Sequence, residues 1–129
     1  MKQLHFQEKY PVTVVDIAKS ETRYDSVAAI AGYFKDCVAK TPRVSYIGEF
    51  DHYAHTQAIG GEIAPGIRAA INVLFCFGHA LPNPQVLAVR PRSIGIADMG
   101  DHFVVSFMDA PMKPANDAMQ AWALGLRNA

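Results

Sequence analysis

The run Ala70-Ile71-Asn72-Val73-Leu74-Phe75-Cys76-Phe77 constrains the fold of this chain more than any other segment. Apolar runs of strand length suit a strand covered on both faces, so the sequence predicts a central strand over 70–77 with other elements packed around it. The chain has 129 residues, which fits a single domain over 1–129 and a core that needs no disulfide or metal staple. Half of the residues are apolar, and 12 basic side chains balance 12 acidic ones. Those two numbers exclude a disordered chain, and without a cluster of Lys and Arg no surface can displace counterions from nucleic acid. No window reaches the roughly 18 uninterrupted apolar residues that a bilayer span needs, and Met1 to Tyr10 lacks the apolar run of a secretory signal. The expectation is a cytoplasmic protein with no membrane and no nucleic-acid partner. Cys37 and Cys76 have no CxxC neighbour and read as buried thiols of a reducing compartment.

Val12 to Ile17 is rich in β-branched residues and reads as a first strand, opened by Pro11. Thr22-x-x-Asp25 precedes Val27, Ile30, Ala31, Phe34 and Val38, whose spacing predicts a helix over about 23–40, stopped by Thr41-Pro42. Val44 to Phe50 reads as a second strand, and Asp51 as the cap of a short helix running to Gly60-Gly61. Asn83-Pro84 starts a further short helix that Pro91 ends. Ser93 to Ala97 and His102 to Met108 form a hairpin around Asp98-Met99-Gly100-Asp101, with Phe103, Val105 and Phe107 on one face and Gly100 at positive φ. Ala115, Ala118, Met119, Trp122 and Leu126 mark a last amphipathic helix. The order β-α-β-α-β-α-β-β-α predicts an α/β sandwich of the α+β kind, a mixed sheet of about five strands with helices packed on it.

Asp51-His52-Tyr53-Ala54-His55 is the densest polar constellation. Two imidazoles three apart on a helix project to one side and can share a ligand. Zinc takes three or four protein ligands, so a metal there needs Asp51, Glu62 or His79 beside the pair, and neither metal nor cofactor is predicted. His79 follows the strand over 70–77 at its carboxyl end, where open sheets with helical crossovers bind ligands. Arg90-Pro91-Arg92 holds two guanidinium groups around a rigid residue, a pattern that clamps a carboxylate or phosphate and equally suits the end of a helix. The glycines assemble into no phosphate-cradling motif, and neither GxSxG nor HExxH occurs.

Phe50-Asp51-His52, Leu74-Phe75-Cys76-Phe77-Gly78, Asn83-Pro84 and Val104-Val105-Ser106-Phe107-Met108-Asp109-Ala110-Pro111 together resemble the domain-of-unknown-function family 302. Uncharacterised bacterial proteins are similar through FDHYAHT, FCFG and LAVRPRSIG. The resemblance covers 24–111 and carries over Asp51, His52 and Gly78 by position. It implies a small α/β sandwich with a mixed sheet, dimeric in many members and without an established activity. The chain departs from the family's pattern where His79-Ala80-Leu81-Pro82 precedes Asn83-Pro84, and where Ser93-Ile94-Gly95-Ile96 replaces a Leu-Pro pair.

The candidate ligand-binding residues are therefore Asp51, His52, His55, His79, Arg90 and Arg92. They suit a shallow pocket for a small anionic ligand, filled more readily in mild acid because an ordinary imidazole titrates at about pH 6.5. Tyr33, Tyr46, Tyr53 and Trp122 add aromatic area beyond what a small domain hides, which predicts a homodimer. The leading expectation is a homodimeric binding or accessory module. Two others stand beside it: a hydrolase or isomerase with His55 or His79 as general base, with or without a metal, and a protein-partner module without a small-molecule site.

Overall fold

The computed structural model describes residues 1–7, 10–78 and 80–128. Among these, the chain forms one sheet of six strands and three α-helices. In chain order they are β1 (Lys2–Phe6), β2 (Tyr10–Ala18), α1 (Val27–Lys40), β3 (Val44–Phe50), α2 (His52–Ala58), β4 (Ala69–Phe77), β5 (Arg92–Asp98), β6 (His102–Met108) and α3 (Lys113–Leu124). No described helix is long and apolar enough to cross a membrane.

The strands lie side by side as β1-β2-β6-β5-β4-β3, and every neighbouring pair is antiparallel. The expected mixed sheet of about five strands is thus corrected on both counts. β2 and β3 do run in the same direction, as strands joined through a crossover helix do, but β6, β5 and β4 fill the gap between them. The chain crosses beneath the sheet once, through α1, and returns as the meander β3-β4-β5-β6. The additional strand is β1, whose residues are all exposed. An edge strand that buries no side chain lacks the strong apolar signal that marks the others.

β4 is also not the central strand. It lies second from an edge, and its burial alternates: Val73, Phe75 and Phe77 are buried, while Asn72, Leu74 and Cys76 are half-buried. Successive side chains of a strand point to opposite faces, and here only one face has a helical layer. α1 and α3 both lie on it. Ile30, Ala31, Phe34 and Val38 of α1, with Met119, Trp122 and Ala123 of α3, pack against Val15, Ile17, Phe75, Ile94 and Phe103 from four strands. Burying one such large side chain stabilises the fold by about 1.5–3 kcal/mol. Trp122 stacks on Phe77 at 5.8 Å with an interplanar angle of 11°, so this aromatic belongs to the core. Cys37 and Cys76 are only half-buried, against the expectation for both thiols.

Local signals set most boundaries. Ser26 caps α1, its Oγ accepting from the Ala29 N–H at 3.0 Å, so the helix starts later than the expected residue 23. Thr22, which immediately precedes the expected helix start, donates its hydroxyl to the Leu126 carbonyl. Thr41 ends α1 as expected, its hydroxyl donating to the Cys37 carbonyl at 2.7 Å. Asn83 accepts from the Val86 N–H at 3.1 Å, but the helix it starts is a 3-10 segment, Pro84–Ala88. Gly100 takes φ +97° in the β5–β6 turn, and Phe103, Val105 and Phe107 form one buried row.

Candidate functional site

On the face that α1 and α3 leave free, the strand registers align one row of residues. Asn72 of β4 faces Gly95 of β5, and Gly95 faces Ser106 of β6. These positions turn away from the core because their neighbours Val73, Ile94, Ile96 and Val105 turn into it. Gly95 carries no side chain, so the row sinks at its middle. The result is a groove of about 470 Å³, floored by Asn72, Ser93, Gly95 and Ser106 and flanked by Phe6, Met108 and Arg92. Small-molecule sites run from about 300 to 1,000 Å³.

A polar chain leads into the groove from α2. Asp51 starts that helix, its Oδ1 accepting from the Ala54 N–H at 2.9 Å. This places His52 in the first turn, with Nδ1 3.2 Å from Asn72 Oδ1. The Asn72 amide nitrogen donates to Ser93 Oγ at 3.0 Å, which leaves the amide oxygen to accept from His52. His52 and His55 do come together, with ring centroids 6.2 Å apart. The Phe50 ring packs against both, 5.3 Å from His52 and 5.1 Å from His55. Among the described residues, no three His, Cys, Asp or Glu side chains gather as metal ligands would.

Arg90 lies elsewhere, and the two arginines do not act as one clamp. The Arg90 guanidinium covers Gly78, which takes φ +82°, and donates from Nη1 to the Ala80 carbonyl at 2.6 Å. Phe77, next to Gly78, lies five residues along β4 from Asn72, about 17 Å on an extended strand. Arg90 therefore sits at the carboxyl end of β4, well away from His52 near its middle. His79 lies outside the described residues. Arg92 does reach the groove. Its guanidinium donates to the carbonyls of Val89, at 3.5 Å, and Met108, and among the described residues no carboxylate forms an ion pair with it. Burial pushes the Arg92 pKa below the usual guanidinium value, with the charge of Asp109 acting the other way.

Sequence reasoning passed over Asn72, Ser93, Gly95 and Ser106. A signal for the first was present: Asn72 is the one polar residue within the run 70–77. The serines carried none, because their meeting with Asn72 depends on the pairing of β4, β5 and β6.

Fold and groove together define an α+β protein with one antiparallel sheet, α1 and α3 on one face and a ligand-sized groove on the other. The chain belongs to a family of unknown function, DUF6858, whose model matches residues 1–128. No curated protein and no solved structure is detectably similar to it. This overturns the resemblance to family 302 and to proteins sharing FDHYAHT. The segments behind that resemblance answer local needs that many sheets share: Asp51 caps a helix, Gly78 turns the chain at positive φ, and alternating apolar residues face a core. Such features do not distinguish one family from another.

Proposed function

We propose that this chain is a binding module whose groove over β4, β5 and β6 takes a small anionic ligand. The observation that carries the reading is Arg92, a half-buried cation beside the groove whose hydrogen bonds all go to neutral carbonyls. Guanidinium groups remain protonated, and a cation partly removed from water favours an anion nearby. Ser93 and Ser106 offer hydroxyl donors along the floor, and Asn72 fixes Ser93 from the side. Binding is favoured over acid–base catalysis because His52 is held by a neutral amide, whereas a general base is ordinarily oriented by a charged or strongly accepting partner.

Calorimetric titration with inorganic phosphate and with small mono- and dicarboxylates tests the reading. At least one of them is expected to bind, with affinity falling tenfold or more in Arg92→Gln. Gly95→Val should abolish binding by filling the trough. A Cβ at position 95 comes no closer than 3.7 Å to its neighbours, so the smaller Gly95→Ala should leave the fold intact while weakening the ligand. No heat with any of these anions, or binding indifferent to both Arg92→Gln and Gly95→Val, overturns it.

A further inference from the structure

The groove is divided across the strands. Towards β4 it is polar, with Asn72, Ser93 and Ser106 on its floor, and towards β1 it is apolar, lined by Met108, Val12 and Phe6. The strand registers fix that division. Gly95 pairs with Ser106, so two residues further along each antiparallel strand Ser93 comes beside Met108. Met108 pairs with Val12, and Val12 with Leu4. One row thus leads across the sheet from Ser93 through Met108 and Val12 to Leu4. Along it Met108 is 49% and Leu4 45% exposed, and Phe6 beside it is 60% exposed.

Among the described residues, Arg92 is the one charged side chain of this lining. A guanidinium has five N–H groups, of which one goes to the Val89 carbonyl and one to the Met108 carbonyl, so three remain for a ligand. Asp109, the nearby acid, is not part of the lining, and its two oxygens accept from Gln3 and Thr13. A single cation matches a single negative charge. A second charge on the ligand would be removed from water against Met108, Val12 or Phe6 without a partner, and the same side chains favour a hydrocarbon body over a hydrated one.

We propose that the ligand is a monocarboxylate with an aliphatic tail of medium length, its carboxylate at Arg92 and Ser93 and its tail across Met108 and Val12 towards β1, beside Phe6. The proposal rests on the reading of the groove as an anion site and narrows it. β5 and β1 are three strand spacings apart, about 14 Å, which an extended acid of about eight to ten carbons fills. A straight row of this length suits a chain rather than a ring. The groove is open above, so each methylene gives up only about half of its contact with water and adds about twofold in affinity.

Calorimetry with butyrate, hexanoate, octanoate, succinate, inorganic phosphate and octanol tests this, with acetate followed by NMR shift titration. Octanoate should bind at least tenfold more tightly than butyrate or succinate. Octanol, with the same tail and no charge, should bind at least tenfold more weakly than octanoate. Met108→Gln and Phe6→Ser change exposed side chains and keep the Met108 carbonyl, so each should cost octanoate about threefold or more while acetate binds as before. Phosphate, acetate or succinate bound through Arg92 with no gain from butyrate to octanoate overturns the proposal and leaves the anion site standing. Octanoate that binds no better than octanol, or that is indifferent to both Met108→Gln and Phe6→Ser, also overturns it. No binding by any of these anions removes the proposal and the anion site together.

Discussion

The Thr22 hydroxyl donates to the Leu126 carbonyl at 2.7 Å, joining residues 104 positions apart. Thr22 is buried, and the bond fixes the segment before α1 to the chain just beyond α3, where the Asn128 N–H also donates to the Glu21 carbonyl at 2.7 Å. Thr22→Val leaves a buried carbonyl without its donor and should lower stability by about 1–3 kcal/mol. Thr22→Ser keeps the hydroxyl and should lose less. Urea unfolding with an unchanged slope measures both.

Tyr33 and Gly125 form a second long-range fit. The Tyr33 hydroxyl donates to the Trp122 carbonyl at 2.6 Å, and a Cβ at position 125 would collide with the Tyr33 hydroxyl oxygen. Gly125→Ala must displace the phenol and should destabilise the protein, whereas in a Tyr33→Phe background the obstruction is gone. The double variant should therefore be more stable than the two single effects summed, by about 1 kcal/mol or more, in thermal unfolding.

Asp98 sets an acid limb. Burial pushes its carboxyl pKa up, but the Gly100 N–H at 2.9 Å and the Lys19 ammonium at 3.0 Å outweigh burial, with Arg68 adding to them, and hold it below the usual carboxylate value. A depressed folded-state value means that the stabilisation is complete above the unfolded value and lost as pH falls through the folded one. Stability should decline below about pH 4, and Asp98→Asn should flatten that decline. Lys19 is 35% exposed, so solvent screens the pair and Asp98→Asn should cost only about 1–2 kcal/mol near neutrality.

Cys37 should be a slow thiol. Burial pushes its pKa up, against a smaller opposing effect of the Tyr33 hydroxyl. The thiolate is the reactive species, so alkylation by iodoacetamide at about pH 7.5 should run at least tenfold slower in the folded chain than in urea. Mass spectrometry of the peptide containing Cys37 follows the rate.

What could be read from the sequence was local chemistry. The Asp51 cap, the Asn83 cap, the Thr41 stop and the positive φ of Gly100 each involve residues within four positions, and each is present. The buried row Phe103, Val105 and Phe107 followed from alternation alone. The expected start of α1 at about residue 23 was too early because Ser26 caps the helix and the Thr22 hydroxyl bonds to the Leu126 carbonyl that the tertiary structure brings within reach. The pairing of His52 with His55 was legible from their spacing on α2, but the partner that matters to His52 was not.

By itself, the sequence determined the kinds of elements, several of their ends and which face of each turns inward, because those follow from side-chain chemistry over a few residues. Only the tertiary structure decided that β2 lies against β6, that three strands separate β2 from β3, and that Asn72, Gly95 and Ser106 form one row. Strand order is a choice among pairings of similar local energy. It is settled by the burial of the whole core, and the groove exists only as a consequence of that choice.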